Sequence, residues 1–231
     1  MRLCILDNDI LEPEAAARWG SYGRMSEQLL RRNGFAGEVV CSLAREQRYP
    51  ADLDRFDALL LTGSRADAFG DEPWVQALRE QVRQALARGQ RLLGICFGHQ
   101  LIAHVMGAPV GRAPQGWGRG CMDYEWLGAP DVAAEGRLDL LASHQDQVLA
   151  LPPGAQLLAR NAHCPVAAYQ VGQQVLCVQA HPEFDPDYSA YLLGRRRAQM
   201  DEAVYTERLQ SLRRGHDGDR VGRLMVQFLH A

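Results

Sequence analysis

The chain has 231 residues, a formal net charge of −3, 47% hydrophobic and 23% charged residues, a balance that excludes overall disorder and gives enough chain for one sizeable core. All 25 basic Lys/Arg positions are arginine, since no lysine occurs between Met1 and Ala231, which excludes Schiff-base and pyridoxal phosphate chemistry and a Walker A site built from this chain alone. The arginines are interspersed with 28 acidic residues, and Arg195-Arg196-Arg197 reads as a solvated helix face, so no nucleic-acid partner is expected.

Met1 to Asp7 is too short an apolar run for a signal peptide, and no stretch approaches the roughly 18 apolar residues of a membrane span, so a cytoplasmic protein without a membrane partner is expected. Six cysteines at 4, 41, 96, 121, 164 and 177 show no CxxC spacing, which suggests neither a zinc site nor a redox dithiol. Five read as buried small hydrophobes. Cys96 needs a different explanation.

In chain order, Arg2–Leu6 reads as a strand, Met25–Arg32 as a helix closed by Asn33-Gly34, Glu38–Ser42 as a strand and Ala58–Thr62 as a strand buried on both faces. Pro73–Arg88 has helical spacing of Trp74, Val75, Leu78, Val82 and Leu86, with Asp71-Glu72 at its N-terminus. Arg91–Ile95 is the next buried strand, and a helix over Leu101–Met106 follows at once. The alternation is that of βαβ units, so the expected fold class is α/β: a three-layer open, mostly parallel, flavodoxin-like sheet flanked by helices. Shorter runs at Met122–Leu127, Asp139–Ser143, Gln156–Ala159, Val166–Val171 and Val175–Gln179 suggest a small mixed-strand extension of that sheet. Residues from about 186 to 231 read as helices interrupted near Arg214–Gly218. A single domain over 1–231 is the expectation.

Gly94-Ile95-Cys96-Phe97-Gly98 lies between a strand and a helix and has the G-x-nucleophile-x-G form of a nucleophile elbow. The glycines allow strand and helix to meet across a sharp turn, and a helix N-terminus favours the attacking thiolate. The Phe97 N–H would face the developing oxyanion. A base is required, and His181 lies past the carboxyl end of a predicted strand, where open α/β sheets place ligands. Glu183 follows two residues on; in an extended His181-Pro182-Glu183 segment the carboxylate would face the same side as the imidazole and orient it.

Gly94-Ile95-Cys96-Phe97-Gly98-His99-Gln100 with the distant His181-Pro182-Glu183 resembles the class I (triad) glutamine amidotransferases, and closely their stand-alone GMP-synthase-glutaminase-like members. The resemblance covers nearly the whole chain. It implies that Cys96, His181 and Glu183 are a triad releasing ammonia from the side chain of glutamine. It implies that Phe97 with the Gly63-Ser64 loop supplies the oxyanion donors, although the family's usual second glycine and proline are replaced here by Ser64 and Arg65. Gln100, Gly116, Trp117, His144 and Asp146 match positions around the glutamine pocket; Gly118 stands where an acidic residue is usual. A His144–Asp146 pair is an alternative to His181, which the pattern favours.

Three functions follow from the resemblance. The chain is a glutaminase or amidotransferase subunit supplying ammonia to a separate synthetase, or a hydrolase of γ-glutamyl peptides or conjugates, as in stand-alone relatives resembling plant γ-glutamyl peptidases, or a non-catalytic regulatory module. The substrate is glutamine or a γ-glutamyl compound, and no cofactor or metal is expected.

Overall fold

A computed structural model describes residues 1–128 and 136–231. The first strands alternate in the way period-2 side-chain geometry requires. In β1 (Arg2–Asp7), Leu3 and Ile5 enter one core while Cys4 and Leu6 enter another. The split recurs in β3 (Ala58–Leu61), β4 (Arg91–Ile95) and β11 (Val175–Val178), whose strands are buried on both faces. One face is covered by α2 (Tyr22–Arg32) and α7 (Gly218–His230), the other by α3 (Pro73–Ala87) and α4 (Phe97–Val105), giving three layers.

The nine-stranded sheet runs β2 (Glu38–Leu43)-β1-β3-β4-β11-β10 (Ala168–Val171)-β9 (Gln156–Arg160)-β6 (Gly118–Trp126)-β7 (Arg137–His144). From β2 to β11 every pairing is parallel, and from β11 to β7 every pairing is antiparallel. The expected α/β architecture is therefore present, with the mixed extension continuous with the main sheet. A separate two-stranded ribbon joins β5 (Val110–Arg112) to β8 (Asp146–Val148). Helices α1 (Pro13–Trp19), α5 (Pro186–Arg195) and α6 (Glu202–Ser211) enclose a third apolar cluster that includes Tyr22, Phe184, Tyr188 and Leu193 and reaches Cys121 of β6 and Leu141 of β7.

Several boundaries move from those read in the sequence. Helix α4 starts at Phe97, not Leu101, so no linker separates it from Cys96. Helix α2 starts at Tyr22, where Ser21 accepts a hydrogen bond from the Arg24 N–H as its cap. The strand expected from Val166 begins at Ala168, and the one expected from Met122 reaches back to Gly118. The C-terminal helices break near Gly215 as expected and also at Arg196–Asp201. Cys41 is exposed rather than buried, because it sits on the edge strand β2. Among the described residues, no helix is long and apolar enough to cross a membrane.

Candidate active site

The elbow is set by three close approaches. A Cβ on Gly94 would stand 2.8 Å from the Cys177 sulfur and 2.8 Å from the Gly98 backbone. One on Gly98 would run into the Leu61 carbonyl and lie 2.7 Å from the Leu61 Cβ. Both positions therefore need glycine, as the motif predicts. Between them Cys96 has φ 51° and ψ −100°, a backbone geometry that side-chain-bearing residues avoid and that concentrates at functional turns. The Cys96 N–H donates to Val178 O at 2.9 Å, which ties the elbow to the end of the neighbouring strand β11.

Three residues past that strand, His181 faces the elbow. Its Nδ1 lies 2.7 Å from Glu183 Oε1, with side-chain exposures of 4% and 0%. The link is made across a turn at Pro182-Glu183, not along an extended segment, because the chain bends there before entering α5. Phe184 stacks on the imidazole, centroids 3.9 Å apart and planes 8° from parallel, and Tyr22 stacks on Phe184 in turn. Burial alone would depress the pKa of His181; the Glu183 carboxylate and the Cys96 sulfur beside it outweigh burial and raise it to about 10. An imidazolium held between a carboxylate and a thiol is the arrangement that nucleophilic cysteine chemistry uses.

The loop after β3 borders the same point. A Cβ on Gly63 would stand 2.8 Å from His181 Cε1 and 3.8 Å from Cys96 Cβ. The Thr62 N–H is bound to Leu6 O, and the Arg65 N–H to Asp9 Oδ2 at 2.9 Å. Among the described residues, no acceptor takes the N–H of Gly63, Ser64 or Phe97. The replacement of the family's usual residues by Ser64 and Arg65 thus leaves the first two loop amides free, while Arg65 anchors the loop to Asp9 and Glu12.

Cys96 and His181 open into a cleft of about 800 Å³, counting its mouth, walled by Ser64, Gln100, Trp117 and Asp146. Gln100 Nε2 donates to Asp146 O at 2.8 Å and Gln179 Oε1 at 3.1 Å, so it braces β8 against the floor. The Asp146 carboxylate pairs with Arg112 at 2.7 Å, and neither ring nitrogen of His144 reaches a carboxylate. Buried and near His163, His144 has its pKa pushed down to about 3, burial being the main cause. His99, buried against Tyr169, is likewise pushed down to about 3 by burial. Gly116 (φ 77°) turns the chain so that Trp117 reaches the cleft. The glycine at 118 has a steric reason: a Cβ there would meet His144 Nε2 at 2.9 Å and His163 Nε2 at 3.1 Å.

Residues 20–192 match the glutamine amidotransferase class-I family. The chain belongs to that family. As a class-I amidotransferase it is 34% identical to γ-glutamyl peptidase 3 of Arabidopsis thaliana over 179 residues, 74% of this chain and 72% of the plant protein. It is 32% identical to the glutamine-hydrolysing GMP synthase of Aeropyrum pernix over 165 residues, which are 71% of this chain but 31% of that protein. The fold superposes on a glutamine amidotransferase from Thermotoga maritima with a TM-score of 0.77, covering 100% of this chain and 98% of the other at 16% identity.

Some cleft residues of this amidotransferase carried no motif. Leu11, Glu12, Ala15 and Tyr22 show that the segment after β1 borders the site. Arg196, part of a run read as solvated, lines the cleft half-buried; Arg195 borders it from an exposed position, and Arg197 is exposed away from it. The available signal was spacing: Tyr188, Leu192 and Arg196 recur every four residues and all face the cleft.

Proposed function

We propose that this class-I amidotransferase is a cysteine-dependent hydrolase of γ-glutamyl amide bonds, with γ-glutamyl peptides or conjugates as its donors. The observation that carries the reading is the buried 2.7 Å contact of His181 with Glu183 beside a Cys96 held at φ 51°. The likeness to a plant γ-glutamyl peptidase over roughly three quarters of both chains supports the peptide donor.

In the proposed reaction the Cys96 thiolate attacks the γ-carbonyl carbon, forming a C–S bond and an oxyanion that accepts hydrogen bonds from Phe97 N–H and the Gly63-Ser64 amides. Protonated His181 gives its proton to the departing amine as the C–N bond breaks. The imidazole then takes a proton from water, which attacks the thioester; the C–S bond breaks to release glutamate and the Cys96 thiolate beside a protonated His181, restoring the starting pair. Glu183 orients the ring and stabilises its charge. Gln100, Gly116, Trp117, His144 and Asp146 shape the walls around the glutamyl group.

With glutamine the leaving group is ammonia, which a separate synthetase subunit would consume. Incubation with glutamine and, separately, with γ-glutamyl dipeptides, followed by assay of glutamate, ammonia and free amino acid, distinguishes the donors. Faster release from the dipeptides is expected, and Cys96→Ser should abolish it. Faster release of ammonia from glutamine would make the protein a glutaminase, and no release from either donor with no alkylation of Cys96 would overturn the catalytic reading.

A further inference from the structure

Four arginines border the cleft, and three are neutralised by the protein's own carboxylates. Arg65 pairs with Asp9 and Glu12, Arg112 with Asp67 and Asp146, and Arg195 with Glu12. Arg196 has no carboxylate within ion-pair reach among the described residues; its polar contact is a 3.4 Å hydrogen bond from Nη1 to Ser143 Oγ. Next to it lies Arg119, 6% exposed, which also lacks an acidic partner. Arg119 Nη2 touches Gln199 Oε1 at 3.5 Å, and its buried Nε has no acceptor.

Both guanidinium groups converge on one indole. The Cζ atoms of Arg119 and Arg196 lie 4.3 and 4.6 Å from the centroid of the Trp117 ring, which itself lines the cleft. Cation–π attraction offsets part of the repulsion between them. It does not supply the counter-charge that buried ions require, and burial lowers the pKa of both, that of Arg119 to about 10 with the Arg196 charge contributing. A guanidinium fork with most of its donors unoccupied at the edge of a cleft matches the geometry of a carboxylate.

We infer that Arg196, backed by Arg119 and Trp117, is the receptor for a carboxylate of the substrate. The inference rests on the γ-glutamyl reading above. A γ-glutamyl dipeptide carries two such groups: the α-carboxylate of the glutamyl residue and the terminal carboxylate of the leaving amino acid. Either one completes the charge balance at Trp117, and Ser143 Oγ lies beside it as a further hydrogen-bonding group. Arg196 is thus a specificity-determining residue, favouring donors that carry the recognised carboxylate over the corresponding neutral amide of the same size.

Binding of γ-glutamylglycine, its C-terminal amide and its glutamyl α-amide to the Cys96→Ala protein, measured by calorimetry with and without Arg196→Gln, tests this. Arg196→Gln should weaken γ-glutamylglycine by about 10- to 100-fold, the range for a lost charge-assisted contact. It should have little effect on the analogue lacking the recognised carboxylate, which identifies the group bound. Arg196→Lys, with the charge but not the fork, should fall between. Equal weakening of all three ligands, or none, refutes the receptor. Turnover of γ-glutamylglycine by the wild type separates the two claims: turnover with Arg196-independent binding refutes the receptor alone. Arg196-dependent binding without turnover keeps the receptor and refutes the hydrolase, and neither turnover nor binding refutes both.

Discussion

Replacing Glu183 by glutamine keeps the shape of the side chain but removes the charge that faces His181 at 2.7 Å. Water screens this contact little, because the two side chains are 4% and 0% exposed. Burial pulls the imidazole towards neutrality, and Glu183 together with Cys96 reverses this, to about 10. The distance of that value from an ordinary 6.5 corresponds to roughly 5 kcal/mol net in favour of the imidazolium, after the two partners have offset burial. Removing one member of a buried pair commonly costs about 3–5 kcal/mol. In Glu183→Gln we therefore expect His181 to titrate at least about two pH units lower and turnover of a γ-glutamyl donor to fall by about 10²- to 10⁴-fold. A group whose pKa is raised on folding contributes stability that is full below its unfolded value and is lost as pH rises through the folded one. The wild type should thus lose stability between pH 6.5 and about 10, by up to about 1.4 kcal/mol per pH unit, and the variant should lose less there. Imidazole NMR signals followed against pH, with turnover and denaturant melts on the same samples, read all three quantities. A His181 titration unchanged in the variant, or wild-type turnover, would refute the coupling.

Gly98→Ala places a methyl group against the Leu61 carbonyl and 2.7 Å from the Leu61 Cβ; a loss of about 1–3 kcal/mol or more is expected in urea melts, and unchanged stability would show that helix α4 can shift. Acid should destabilise the fold through His99 and His144, both pushed down to about 3: the unfolded chain binds protons that the native state refuses, so stability is full above pH 6.5 and falls towards pH 3 with a slope of up to about 2.7 kcal/mol per unit for the two together. Replacement of His144 by glutamine should reduce that slope, as urea melts at stepped pH would reveal. Arg79 donates to the carbonyls of Ala68 and Gly70 from a nearly buried position, so Arg79→Met should cost about 1.5–3 kcal/mol for hydrogen bonds made by a charged group; a melting temperature equal to that of the wild type would contradict this.

The central strands and the elbow were legible because their constraints are local. β3 and β4 are continuous apolar runs, and Gly94 and Gly98 are the residues that a strand-to-helix contact admits. Helix α1 escaped notice because its seven residues bury Ala15 alone, leaving no stripe to detect. The three-residue strands β5 and β8 are too short for an alternation to show. The spacing of His181 and Glu183 indicated that they would meet, although Pro182 brings them together by a turn and not by strand geometry. Arg196 was hidden for a different reason. Its neighbours Arg195 and Arg197 are exposed, and its four-residue spacing from Tyr188 and Leu192 singles it out only once the packed structure shows those two facing the cleft.

The hydrogen bond from Cys96 N–H to Val178 O joins parts of the chain that leave the ribosome far apart in time. Residue 96 precedes residue 181 by 85 positions, an interval of about 4 to 17 seconds at 5–20 residues per second. Throughout it the nascent protein carries the elbow sequence and its thiol without the histidine proposed to activate it. Because β11 enters the sheet between β4 and β10, one late long-range pairing, of the kind that closes slowly, completes the sheet and brings His181 to the cysteine together.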